Sequence, residues 1–314
     1  MIIKKIRRGH VDWRNFLCST PARDYVFQKE EYVSQLDRAA EYIRKADSII
    51  VGAGAGASAA AGIQYGGKRF TDNFGELIEK YGGHYMTDMY AAGFYPYPSE
   101  EAKWGYWSKH ALMNRFDPPA LPLYTKLYDV VKSKEYFVLT TNVDHQFYKA
   151  GFDEKRIFAT QGDYGKIQCQ KACHPKTYDA KGLFRKMDEA RKNCLIPSEL
   201  VPKCPVCGGN MAMNLRCDNY FVEDEAWHEA ADRYADFLKQ NKDKKVVLLE
   251  LGVGFNTPII IRFPFEKMVR ENLSYSLIRL NMDEAVVPES FGKRAIGIGG
   301  DMARAITDIR ESVL

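Results

Sequence analysis

Over residues 29–46, Tyr32, Val33, Leu36, Ala39, Ala40 and Ile43 recur three and four apart. That spacing puts them on one face and predicts an amphipathic helix. The pattern then changes. Ser48-Ile49-Ile50-Val51 is a short continuous apolar run that leads directly into Gly52-Ala53-Gly54-Ala55-Gly56-Ala57-Ser58. Residues 136–140, 246–251 and 277–280 have the same character, and 156–159 and 294–298 repeat it more weakly. Helical stretches lie between several of these runs. Short, wholly apolar strands alternating with helices predict an α/β fold with a doubly wound parallel sheet. Two stretches interrupt the alternation. Residues 64–130 show no strand pattern and are dense in aromatics, among them Phe70, Phe74, Tyr81, Tyr85, Tyr90, Phe94, Tyr95, Tyr97, Trp104, Tyr106 and Trp107. They are expected to form a helical and loop module with its own core. Residues 163–217 hold six of the seven cysteines among Lys, Pro and Gly. The sheet domain is then expected in three pieces: 1–63 with its N-terminal segment, 131–162 and 218–314.

Composition narrows the class. The 314 residues are 46% hydrophobic and 27% charged, with a formal net charge of +4. Such a chain can bury a full core, and disorder is excluded for its bulk. The mild basicity falls short of a nucleic-acid-binding footprint. No run reaches the ~18 apolar residues of a membrane helix. The Lys4-Lys5-Ile6-Arg7-Arg8 start has no apolar core after it, so it reads as a solvated tail rather than a secretory signal. Trp13, Phe16 and Phe27 suggest that residues 1–28 pack against the body. The cysteines are Cys18, Cys169, Cys173, Cys194, Cys204, Cys207 and Cys217. An odd, clustered set points to reduced thiols, a cytoplasmic location and a metal.

A strand that ends in a Gly-rich turn and opens a helix is a phosphate cradle, because glycines let backbone amides approach the anion. Gly52-x-Gly54-x-x-Ala57 matches only the variant of the dinucleotide fingerprint that ends in Ala. The acidic residue due about 20 positions on is missing, since Phe70-Thr71-Asp72 falls in loop-like sequence. A dinucleotide-like anion is expected, without hydride chemistry. The alternative is a tight turn with no ligand. Cys169-x3-Cys173 and Cys204-x2-Cys207, the latter in Lys203-Cys204-Pro205-Val206-Cys207-Gly208-Gly209, can supply four thiolates to a structural zinc. Cys194 and Cys217 are possible substitutes.

The order of motifs resembles the sirtuins. Gly54-Ala55-Gly56-Ala57-Ser58-Ala59-Ala60-Ala61-Gly62-Ile63 resembles their GAGxS…GI loop, and Thr140-Thr141-Asn142-Val143-Asp144 resembles their TQNID motif. Gln161-Gly162 stands where sirtuins carry a catalytic HG pair. The cysteine pairs follow, as the sirtuin zinc ribbon does. Asn214-Leu215-Arg216 and Phe221-Val222-Glu223-Asp224 resemble the lead into the substrate strand. Leu251-Gly252-Val253-Gly254-Phe255-Asn256 looks like the ribose-binding GTS motif, and Leu280-Asn281 and Gly300-Asp301-Met302 like adenosine-side contacts. Three departures stand out: Gln64-Tyr65-Gly66-Gly67 replaces PDFR, Thr141 replaces the Gln of TQNID, and Gln161 replaces the catalytic His. This combination is similar to the class M sirtuins, microbial proteins encoded beside macrodomain proteins and described as protein ADP-ribosyltransferases.

The resemblance implies a Rossmann-like domain, a cofactor loop in 64–130, a zinc-ribbon-like module in 163–217, and NAD as co-substrate. It implies NAD contacts from Gly54, Ala55, Gly56, Ser58, Gly62, Ile63, Gln64, Asn142, Asp144, Gln161, Gly252, Gly254, Asn256, Asn281, Asp301 and Met302. A deacylase needs a base that accepts a proton near neutral pH; an imidazole does so and a carboxamide cannot. Gln161 therefore favours direct attack on the ribose by an already ionised carboxylate. By the same resemblance Asn142 and Asp144 are expected to shape the nicotinamide pocket; Arg216 is expected to clamp a carboxylate or phosphate or else to form an ordinary ion pair. The implied partners are a lipoylated carrier similar to the glycine-cleavage H protein and a macrodomain ADP-ribosyl hydrolase. Alternatives are a deacylase with another base, such as His145 or an ordered water, a silent NAD or ADP-ribose sensor, and simple NAD hydrolysis.

Overall fold

The computed structural model describes residues 20–255 and 257–314. The basic start, Trp13, Phe16, Cys18 and Asn256 lie outside the described residues. Nine of the eleven strands among the described residues make up the two larger sheets: β1 (Ser48–Ala53), β2 (Glu135–Thr140), β3 (Ile157–Ala159), β4 (Gly162–Cys169), β5 (Thr177–Asp179), β6 (Met211–Leu215), β7 (Val246–Leu251), β8 (Tyr275–Asn281) and β9 (Ala295–Gly299). Two compact units share them: 1–57, 129–138 and 238–314 in the first, 58–128 and 139–237 in the second.

The first unit is built on parallel pairing of β9 with β8, β8 with β7 and β7 with β1, and β2 follows β1 in the same order. All six residues of β1 and all six of β7 are buried. That explains their unbroken apolar pattern: strands covered on both faces do not alternate. The predicted helix is Tyr32–Lys45, with Leu36, Ala39, Ala40 and Ile43 buried. Before it, Tyr25–Val26 pairs antiparallel with Val287–Pro288. Tyr25 turns inward, edge-on to Phe255 with ring centroids 5.5 Å apart. Phe27, expected to pack, is instead exposed. Residues two apart share a face of a strand, but the ladder ends at Val26, so nothing holds Phe27 on the side that Tyr25 takes.

The second unit holds β3, and in it β4 lies between β5 and β6 in an antiparallel sheet. Residues 139–162 and 218–237, grouped with the parallel sheet by the sequence pattern, fall in this unit. The pairing of Gly162 with Leu215 ties the strand after β3 to the module beyond it. No strand occurs within 64–130. Phe70-Thr71-Asp72, read as loop-like, lies inside the helix Gly67–Tyr81, which bends at Phe74 where φ is −121°. Phe70, Phe74 and Tyr106 form one apolar cluster; Trp104 joins Phe184, Cys169 and Cys204 in another. The aromatics are only partly a core, because Tyr85, Tyr90 and Phe94 are exposed.

Candidate active site

In the first unit the Gly-rich turn closes against the loop after β7. The Gly54 N–H donates to Leu251 O at 2.9 Å and the Gly56 N–H to Gly252 O at 3.0 Å. A Cβ on Gly56 would lie 2.7 Å from Gly252 Cα, and one on Gly54 2.8 Å from Gly252 O. Gly252 has φ +59°, and a Cβ there would meet Ala57 N at 2.4 Å. Glycine is required at all three positions because two loops touch backbone to backbone. The Ala57 N–H is spent on Gly54 O at 2.9 Å, while Ala55, first residue of the helix Ala55–Ala60, is exposed.

The loop carrying Gly252 and Gly254 is anchored from two sides. The buried Arg262 donates to Val253 O at 2.9 Å, and Asn281 Nδ2 donates to the same oxygen at 3.2 Å. Asn281 Oδ1 accepts from the amides of Asp283 and Glu284 at 3.2 and 3.1 Å. The Asp301 carboxylate caps the helix Met302–Val313, accepting from Arg304 N at 3.1 Å, and Met302 is buried.

The second unit holds the remaining motif residues. Ser58 Oγ donates to Asp144 and lies 3.1 Å from the Tyr124 hydroxyl. Asn142 Nδ2 donates to that hydroxyl at 3.3 Å, and the Asn142 N–H to Thr140 Oγ1 at 3.0 Å. Asp144 is only 1% exposed. Burial pushes its carboxyl above the usual carboxylate range, against the hydrogen bonds from Ser58 and the Gln146 N–H. Gly62 takes φ +104°, which turns the chain so that the Ile63 N–H reaches Ser58 O at 2.9 Å. Gln64 is exposed, and its carbonyl accepts from Arg69 at 2.9 Å.

Gln161 is half-buried, and its carbonyl accepts from the Arg216 N–H at 3.1 Å. Among the described residues its side-chain amide makes no hydrogen bond. Gly162 has φ +98°, and a Cβ on it would lie 1.9 Å from Asn214 O. The Gln-Gly pair thus keeps the glycine that the backbone demands and changes only the chemistry of its first member. The Arg216 guanidinium donates to Glu223 Oε1 at 2.6 Å and to Thr160 O at 3.3 Å, and lies 4.2 Å from the Phe221 ring centre.

His145 Nδ1 lies 2.8 Å from Asp163 Oδ2, and Arg115 Nε donates to Asp163 Oδ1 at 2.9 Å. Burial alone would raise the Asp163 carboxyl, but the His145 hydrogen bond and the Arg115 charge hold it below the usual range. His145 and Asp163 line a cavity of about 310 Å³ together with Gly162 and Trp227; neither Gln161 nor Asn142 lines it.

Cys169, Cys173, Cys204 and Cys207 bring four sulfurs within 4.8 Å of one another. Thiolates about 2.3 Å from a tetrahedral zinc sit about 3.8 Å apart. The Cys169–Cys207 and Cys173–Cys204 sulfurs are 3.7 and 3.6 Å apart, so the donor set fits that ion. The extra residue of the x3 spacing is absorbed at Ala172, where φ is +47°. Cys194 belongs to the apolar cluster around Phe70 and Phe74, and neither it nor Cys217 joins the four.

Motif reading missed Tyr124, Arg262 and Trp227 and gave Glu223 no role of its own; all four hold motif residues in place. Only the unusual complete burial of an arginine and a tyrosine marks two of them, and burial is not visible in sequence.

No profile of a known protein family matches the chain. A protein ADP-ribosyltransferase of Staphylococcus aureus (strain Mu50 / ATCC 700699) is 37% identical over 279 residues, covering 88% of this chain and 88% of that protein. A probable bifunctional ADP-ribose hydrolase/ADP-ribosyltransferase of Fusarium oxysporum f. sp. cubense is 33% identical over 86% of this chain, which spans 47% of that longer protein. A Sir2 homologue in complex with NAD shares the fold at a TM-score of 0.56, with 16% identity, covering 94% of this chain and all 100% of that one. A Sir2 structure bound to acetylated peptide superposes at 0.56, with 15% identity over 88% of this chain and 97% of its own. With sirtuin motifs in order on a sirtuin fold, and a transferase relative matched along most of its length, the chain belongs to the sirtuin-type protein ADP-ribosyltransferase family.

Proposed function

We propose that the protein is an NAD-dependent mono-ADP-ribosyltransferase that moves ADP-ribose onto a carboxylate of an acceptor protein. The observation that carries this reading is Gln161, an amide without a hydrogen-bond partner among the described residues, where deacylation would need a base. NAD supplies an activated ribose whose bond to nicotinamide is ready to break. In the transfer, the C1′–nitrogen bond breaks with its electron pair leaving on nicotinamide, and a carboxylate oxygen bonds to C1′. No proton has to move, so a side chain that does not titrate suffices.

The protein's part is to bind and orient. The helix start at Ala55, held by the packing of the Gly54–Gly56 turn on the Gly252–Gly254 loop, presents backbone to the dinucleotide. Asn142, tied to Tyr124, offers its amide to the departing nicotinamide, and Gln161 holds a ribose hydroxyl. The His145 ring is bonded to Asp163 beside a cavity that neither Gln161 nor Asn142 lines, which sets it apart from those two motif residues.

The acceptor in this reading is a lipoylated carrier resembling the glycine-cleavage H protein, and an ADP-ribosyl hydrolase reverses the mark. The fungal relative's name, joining hydrolase and transferase in one chain, supports the second partner. A cytoplasmic location is part of this reading, resting on the odd, clustered cysteine set of the sequence.

The test uses labelled NAD with the lipoylated carrier and the native protein, Gln161→Ala and Asn142→Ala. Label should reach the carrier, be lost in both variants and be released by hydroxylamine as an ester is. Clear NAD binding with neither label on the carrier nor free nicotinamide would sink the transferase and leave a sensor.

A further inference from the structure

We propose that Trp227 and Glu223 are positioning residues that aim Gln161, and that Arg216 acts through the same device. This rests on the reading above only in placing Gln161 at the reacting ribose.

Gln161 sits between two peptide planes, and a residue whose flanking planes are both held has its φ and ψ fixed, hence the direction of its Cβ. The preceding plane is held at the Thr160 carbonyl, which accepts from Trp227 Nε1 and from Arg216 Nε, each at 3.3 Å. The following plane is held at the Gln161 carbonyl, which accepts from the Arg216 N–H at 3.1 Å. Gly162 then enters β4 at φ +98° opposite Leu215, the neighbour of Arg216.

Arg216 is itself held. Glu223 takes one arm of its guanidinium at 2.6 Å, and the Phe221 and Trp227 ring centres lie 4.2 and 5.5 Å from its carbon. With its charge balanced and its face stacked, Arg216 is committed to the protein rather than open to an anion. A side-chain amide binds by direction, and no titration lets it adapt. A motif that replaces an imidazole by an amide therefore gains from a rigid mount, and the three donors supply one.

Two readouts test this. In protein labelled with ¹⁵N-glutamine, the Gln161 side-chain resonance is assigned by its loss in Gln161→Ala. Trp227→Phe keeps a ring but removes the donor to Thr160. It should shift and broaden that resonance, and lower kcat for transfer about tenfold while KM for NAD stays within about twofold. Glu223→Gln, a change at a partly exposed side chain, should move the same resonance with a smaller loss of kcat. It decides the matter if the indole cannot be removed without unfolding. An unmoved Gln161 resonance in the folded variants overturns the proposal, as does a raised KM with unchanged kcat. A native protein that transfers nothing, while the Gln161 resonance still moves in the variants, defeats the transferase reading and leaves the positioning device standing.

Discussion

Gln161 and His110 show opposite ways in which one side chain meets its surroundings. Gln161 has a chemical identity that sequence alone reveals, and its meaning comes from what an amide cannot do. His110 drew no attention in sequence. It is buried at 1% exposure, bonded through Nδ1 to the Tyr106 hydroxyl at 2.9 Å, and edge-on to Tyr164 with ring centroids 4.6 Å apart. Burial, helped by the Arg69 charge, holds its pKa down at about 3. Between that value and the unfolded value near 6.5, the unfolded chain binds the extra proton. Stability from this group is therefore present above about pH 6.5 and falls by about 1.4 kcal/mol per unit as pH drops below it. Urea midpoints measured from pH 7 to 5 should fall more steeply for the native protein than for His110→Asn. Equal slopes would mean that His110 is not held neutral.

At the scale of elements, the runs of apolar residues were legible because β1 and β7 are covered on both faces, and the helix over Tyr32–Lys45 because it is covered on one. The helix Gly67–Tyr81 was misread at Phe70-Thr71-Asp72. Its two glycines and its polar face dilute the local signal, and burial of Phe70, Phe74 and Leu77 supplies what propensity lacks. The Gly-rich turn was legible as a turn, but its partner was not. Gly252, at φ +59°, is pressed on Gly56 and Ala57. Gly252→Ala should cost about 2–4 kcal/mol, since both the left-handed backbone and the loop contact are lost. It should also abolish NAD binding, as calorimetric titration would show. A variant of native stability that still binds NAD would show that the two loops can separate without consequence.

At the scale of the whole molecule, the chain crosses between its two units at 57/58, 128/129, 138/139 and 237/238. The aromatic stretch and the cysteine stretch, separate in the sequence pattern, meet in one apolar cluster through Trp104, Phe184, Cys169 and Cys204. A metal at the four cysteines would cross-link two turns of that unit. Metal analysis should find one zinc per chain, and a chelator should lower the melting temperature. Cys173→Ser should lose the zinc, whereas Cys194→Ser and Cys217→Ser should keep it. Zinc lost with Cys194 or Cys217 would mean a different ligand set. No helix among the described residues is long and apolar enough to cross a membrane.

The sequence by itself determined the α/β class, the glycine turn, the two cysteine pairs as candidate metal ligands and the change from imidazole to amide at Gln161. Each is carried by local composition or by the identity of one residue. Tertiary structure alone decided what those residues touch: Gly252 against Gly56, Tyr124 between Ser58 and Asn142, Arg216 on Glu223, Trp227 behind Thr160. All but the Arg216–Glu223 pair join positions far apart in the chain, and their energies come from burial and hydrogen-bond geometry that no spacing along the sequence encodes.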